Sequence, residues 1–310
     1  MNLADLPDPD DAINALGPWT HRTVPANGAR FHLVEMGEGP LVLLLHGFPT
    51  YWYTWRRTLP ALAEAGFHAV AMDMRGYGGS DKTPHGYDPL SLAADVVGVV
   101  RSLGKRDAVI VGHGWGGLLA WTLASVHPTV TRAIAPVSMP HPKRLREAMV
   151  HDRRQRAAAR YIIGYQIPLI PERRLAENGA ERVANILRDR SVDSHWLDAT
   201  TESRFRAAML EPAASHCALE YHRWAIRSIP RGDGRTFSSA TQDPIPHPVL
   251  QIHGRNDPSI LPTSVAGSAD FVAGEYTESW LDTGHYVNEE APEAFNGALI
   301  AWLNGLPNSR

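Results

Sequence analysis

The stretch Val109-Ile110-Val111-Gly112-His113-Gly114-Trp115-Gly116-Gly117-Leu118 runs from a β-branched apolar segment through a glycine cluster into residues with helical apolar spacing. The pattern predicts a strand, a sharp turn and a helix. Glycines two places before and two after a central residue suit a nucleophile elbow, a strained turn that lifts the middle side chain above the carboxyl edge of a parallel sheet. That middle residue is Gly114. It carries no oxygen or sulfur, so covalent attack on a substrate cannot start there.

Gly112, Gly114 and Gly117 also satisfy G-x-G-x-x-G, the turn that receives a dinucleotide pyrophosphate. That chemistry needs an acid about 20 residues on to hold the ribose, and no Asp or Glu occurs between Asp107 and Glu147. No cofactor is therefore expected, and no metal. Gly116 and Gly117 have a plainer reading, as small residues that let the helix lie close on the sheet.

Outward from the elbow, strand and helix patterns alternate. Thr20 to Val24 and Phe31 to Met36 read as strands joined by a hairpin at Asn27-Gly28, a dipeptide that tolerates positive φ. Leu41 to Leu45 is continuously apolar, as expected of a strand buried on both faces. A helical pattern over Trp52 to Ala63 follows, then strand Phe67 to Met72, helix Leu90 to Leu103, the elbow, and strand Arg132 to Val137. From about Lys143 to Ser228 the chain reads as helical, with a basic cluster of Lys143, Arg144, Arg146, Arg153, Arg154, Arg156 and Arg160 that suits a solvated helix face. Alternation resumes at Val249 to His253 and Tyr276 to Leu281, and an amphipathic helix ends near Leu303. The expectation is an α/β fold with a mostly parallel sheet flanked by helices, its core at residues 1–142 and 243–310 and an inserted helical domain at 143–242.

Composition narrows the classes of function. The 310 residues are 44% apolar and 20% charged, enough for a large buried core. A net charge of -3 offers no broad basic field for nucleic acid or anionic lipid. One cysteine, Cys217, permits no internal disulfide and reads as a structural thiol. The N-terminus carries Asp5, Asp8, Asp10 and Asp11 rather than the basic start and apolar run of a signal peptide, and no apolar stretch is long enough to span a bilayer. A cytoplasmic protein with a small-molecule partner is expected, its oligomeric state left open.

Two late turns supply acid and base: Gly254-Arg255-Asn256-Asp257-Pro258, and Gly284-His285-Tyr286 with Glu289 and Glu290 behind. Each follows a predicted strand. Elbow, Asp257 and His285 stand in the chain order of an α/β-hydrolase triad, in which the acid orients the imidazole and stabilises its charged form.

At these residues the chain resembles α/β-hydrolases of the epoxide hydrolase and haloalkane dehalogenase group, over roughly residues 20 to 305. HGFP at His46 to Pro49, WYTWR at Trp52 to Arg56, DMRGYGGSD at Asp73 to Asp81 and VGHGWGG at Val111 to Gly117 are similar to that group's motifs, in the same order. The resemblance implies an inserted helical cap and an oxyanion hole made by the backbone N–H groups of Phe48 and Trp115. It also implies an aspartate in the middle of the elbow, where Gly114 departs from the pattern. Phe48, where many haloalkane dehalogenases place a halide-binding asparagine, favours the epoxide hydrolases. In those enzymes two cap tyrosines donate to the epoxide oxygen; Tyr161, in RYIIGYQIP, matches the first. In ALEYHR the second position falls on His222, with Tyr221 one residue early, so an imidazole or the phenol is the expected second donor.

Three functions follow: an enzyme using the His285 and Asp257 dyad as base on a small, largely apolar substrate; a binding protein that holds such a ligand without turnover; and an epoxide hydrolase inactivated by replacement of aspartate with Gly114.

Overall fold

The computed structural model describes residues 6–307, so Asp5 of the acidic leader lies outside the described residues. Eight strands, β1 (Thr20–Ala26), β2 (Ala29–Met36), β3 (Leu41–Leu45), β4 (His68–Met72), β5 (Ala108–His113), β6 (Thr131–Val137), β7 (Val249–Gly254) and β8 (Tyr276–Leu281), form one sheet. Their order is β1-β2-β4-β3-β5-β6-β7-β8. The β1/β2 and β2/β4 pairs are antiparallel and the remaining pairs parallel. The hairpin turns where the dipeptide allows it, with φ of 43° at Asn27 and 75° at Gly28. Every residue of β3 and of β5 is buried, which explains their unbroken apolar runs: helices cover both faces of the sheet.

Helix Pro89–Ser102 shows how local sequence sets a boundary. Asp88 caps it, accepting the N–H groups of Leu90 and Ser91 at 3.1 and 2.9 Å, and Pro89 fills the first turn, where its missing donor costs nothing. Helix Trp115–Val126 follows β5 without a linker beyond Gly114, and helix Pro292–Gly305 closes the chain. Parallel strands place the turns after β3, β5, β7 and β8 along one carboxyl edge, where α/β proteins build their sites.

Between β6 and β7 the described residues contain helices and no strand: Pro142–His151, Arg153–Ala158, Tyr161–Gly164, Ile170–Asp189, Ala199–Met209, Ala214–Arg227 and Gly232–Ala240. The last was not legible beyond Ser228, because Gly232, Gly234 and a run of hydroxyl residues mask its pattern. Helix Ile170–Asp189 breaks at Glu177 to Ala180, where Asn178, Gly179 and Ala180 have positive φ. Arg206 donates to the carbonyls of Asn178 and Gly179 freed there, both at 2.8 Å. Part of the basic cluster is a strap rather than a solvated face: Arg144 donates to the Thr263 carbonyl at 3.1 Å and Lys143 to that of Gln242 at 2.7 Å. No helix among the described residues is long and apolar enough to cross a membrane.

Candidate active site

β7 delivers Asp257 and β8 delivers His285. Asp257 sits in a tight turn in which one carboxylate oxygen accepts the N–H groups of Ser259 and Ile260 at 2.8 and 3.0 Å. The other lies 2.7 Å from His285 Nδ1. Burial works to raise the Asp257 pKa, but the facing imidazole and these donors outweigh it and hold the carboxyl below its ordinary value. The aspartate is thus a fixed anion that sets the proton of His285 on Nδ1 and leaves Nε2 as an acceptor.

The His285 backbone is held on both sides. Its N–H donates to the Arg190 carbonyl at 2.8 Å, and its carbonyl accepts from Ser138 Oγ at 2.7 Å and His113 Nε2 at 2.9 Å. Burial first, and the nearby His285 second, push His113 down to about 3, so it is a neutral donor from Nε2. This uses the elbow's own histidine as a brace for the His285 loop.

Gly114 has φ 53° and ψ -114°, the strained geometry expected of an elbow. Its neighbours are glycine for steric reasons: a Cβ on Gly112 would stand 2.0 Å from the Gly116 carbonyl oxygen, and one on Gly116 2.2 Å from that of Leu45. Gly114 differs. A Cβ there would meet only Gly47 Cα at 3.6 Å and His285 Nε2 at 3.7 Å, ordinary contact distances. The elbow therefore faces His285 and has room for a side chain. On either side, the Gly114 N–H donates to Val137 and the Gly116 N–H to the His46 carbonyl, at 3.0 and 3.1 Å. Among the described residues the Trp115 and Phe48 N–H groups have no acceptor within the protein.

The inserted helices bring aromatic side chains to this edge. The His222 ring lies 4.8 Å from that of Phe48, 5.2 Å from Tyr165 and 6.2 Å from Tyr161, centroid to centroid. Its role as a donor toward substrate does not fit the geometry. Trp115 Nε1 donates to His222 Nε2 at 3.2 Å, and Nδ1 is directed at the Ala218 carbonyl at 3.4 Å, so both ring nitrogens are engaged. Burial, followed by the charge of Arg190, lowers His222 to about 3 and keeps it neutral. Tyr221 is no substitute, because its hydroxyl donates to the Arg75 carbonyl at 2.7 Å within the core. The phenol that joins Tyr161 is Tyr165, with the rings 5.5 Å apart. Its position four residues on, one helical turn, was the available signal. Burial raises the Tyr165 pKa to about 12, so it remains a protonated donor. Arg190, over the Tyr161 ring, carried no sequence signal.

No group of three or more His, Cys, Asp or Glu among the described residues is arranged to hold a metal ion. Buried Cys217 lies on helix Ala214–Arg227.

Residues 40–292 match the family described as alpha/beta hydrolase fold. Epoxide hydrolase A of Mycobacterium tuberculosis (strain ATCC 25618 / H37Rv) is 32% identical over 321 residues, covering 94% of this chain and 99% of that protein. Epoxide hydrolase 3 of Xenopus tropicalis is 39% identical over 286 residues, 89% of this chain and 75% of that one. The crystal structure of epoxide hydrolase A from Mycobacterium thermoresistibile matches with a TM-score of 0.82 at 29% identity, over 94% of this chain and all of that one, 100%. The sheet, the family match and these relatives agree, and the chain belongs to the α/β-hydrolase family as an epoxide hydrolase-like member.

Proposed function

We propose that the protein hydrolyses a small, reactive substrate, an epoxide or activated ester, without a covalent intermediate, using His285 as base on water. One observation carries this reading: the ring nitrogen of His285 opposite its 2.7 Å bond to Asp257 faces the elbow, 3.7 Å from where a side chain on Gly114 would begin. Water in that space loses a proton to Nε2 as its oxygen bonds to the substrate carbon, and Asp257 stabilises the imidazolium. In an epoxide the ring C–O bond breaks and the oxygen takes a proton from Tyr161, with Tyr165 beside it. In an ester the carbonyl oxygen becomes the anion, held by the free N–H groups of Phe48 and Trp115; as it collapses, the acyl C–O bond to the alcohol breaks and the departing alkoxide takes the proton from the His285 imidazolium. The helices of 143–242 act as a cap over the core of 1–142 and 243–310.

Hydrolysis of styrene oxide tests the reading. His285→Ala should lower the rate by about 10²–10⁴-fold, and denatured-state mass spectrometry should find no ester on the Gly112 to Gly117 peptide. A rate unchanged by His285→Ala would support the second reading, a ligand-binding protein without turnover, which the absence of any nucleophile on Gly114 favours.

A further inference from the structure

Arg190 follows helix Ile170–Asp189 and does two things. Its backbone carbonyl anchors the His285 N–H at 2.8 Å. Its half-buried side chain turns to the same site, with the guanidinium carbon 4.3 Å from the centroid of Tyr161.

The acids around it are committed elsewhere. Asp257 is paired with His285, Glu289 with Arg56, and Glu290 accepts the N–H groups of Gly284, Val192 and Asp193. Among the described residues Arg190 has no carboxylate within ion-pair distance; its guanidinium lies over the Tyr161 ring and donates to the Tyr286 hydroxyl, a neutral partner that leaves its charge unbalanced. A guanidinium does not shed its proton in a protein, so this is a permanent, partly desolvated cation beside the reacting groups. Its charge is felt across the site, where it adds to burial in suppressing protonation of His222. The elbow supplies no balancing anion, because Gly114 has no carboxylate.

We propose that Arg190 binds a carboxylate on the substrate, so that the site selects small epoxy acids or acidic esters over neutral ones. The planar fork of the guanidinium matches a carboxylate in two parallel hydrogen bonds, and the tyrosine face beneath holds it flat. The assignment rests on the His285 edge being the reaction site, yet it concerns binding and is separable from turnover.

Calorimetric titration of the whole protein with phenylacetate and with phenylacetamide, its neutral analogue of similar shape, tests it. The wild type should prefer the carboxylate by about tenfold or more; Arg190→Gln should erase that preference and Arg190→Lys keep part of it. Equal affinity for the two probes, binding of neither, or a preference that survives Arg190→Gln overturns the proposal. The wild-type pair of titrations decides it if Arg190→Gln does not fold. Carboxylate preference in a protein that hydrolyses nothing leaves the Arg190 assignment standing and removes the enzyme reading. Turnover of styrene oxide with equal binding of the two probes does the reverse.

Discussion

Two buried aspartate–histidine hydrogen bonds among the described residues have nearly equal length, and they differ in what lies beyond the imidazole. Asp73, just after β4, is 2.8 Å from His32 Nδ1 and accepts the N–H groups of Trp52 and Gly79 at 2.8 and 2.9 Å. The far nitrogen of His32 is closed off by His21 Nδ1 at 3.0 Å, and His21 in turn by the Ala15 carbonyl at 3.1 Å. Asp257 and His285 make the same first contact, at 2.7 Å, but the far nitrogen of His285 opens toward the elbow. An oriented imidazole is a base only where its second nitrogen can reach a substrate or water. The first pair fastens β2 to β4, and the second leaves the far nitrogen of its imidazole at the elbow, as the proposed base requires.

Substitution of the two acids should separate these roles with the largest effects. Asp257→Asn should lower hydrolysis by about 10²–10⁴-fold, since the imidazole loses its orienting anion. Asp73→Ala should instead cost about 3–5 kcal/mol of stability, read as a lower urea midpoint, with the rate per folded molecule retained. Loss of activity in folded Asp73→Ala would break the distinction.

Acid should expose the buried imidazoles next. Burial keeps His113, His141 and His222 neutral, each with a pKa of about 3 when folded. Unfolding frees them to take a proton below about 6.5, so the stability they allow is complete above that pH and falls as pH drops toward 3. At pH 5 each should cost about 2 kcal/mol, and His222→Phe should remove one share of the loss. Urea midpoints between pH 7 and pH 5 give the slope.

Gly114→Asp sharpens the comparison by adding an anion on the open side of His285. The Cβ meets nothing closer than 3.6 Å, so the cost is the positive φ of 53° and the buried charge rather than a clash; the backbone part is about 1–3 kcal/mol. Styrene oxide hydrolysis should rise, with an ester trapped at the elbow. A folded variant with neither would mean that the site serves other chemistry. The smallest effect belongs to Tyr165→Phe, which should slow epoxide opening about tenfold, or 1.4 kcal/mol, while His222→Phe leaves that step nearly unchanged. The reverse order would restore His222 as the second donor.

Sequence alone determined the sheet and its edge. The strands from β2 to β8 lie within a few residues of the segments expected, and Gly114, Asp257 and His285 were legible because turn chemistry and strand order are local features that repeat along the chain. The inserted helices were legible as helices but not as a site. Only the tertiary structure decided that Tyr221 points to Arg75, that Trp115 occupies His222, that Tyr165 stands by Tyr161, and that Arg190 faces them without an acid. Helical spacing sets which residues share a face, whereas the direction of a side chain on that face is set by what packs against it, and here those partners come from strands and turns far away in sequence.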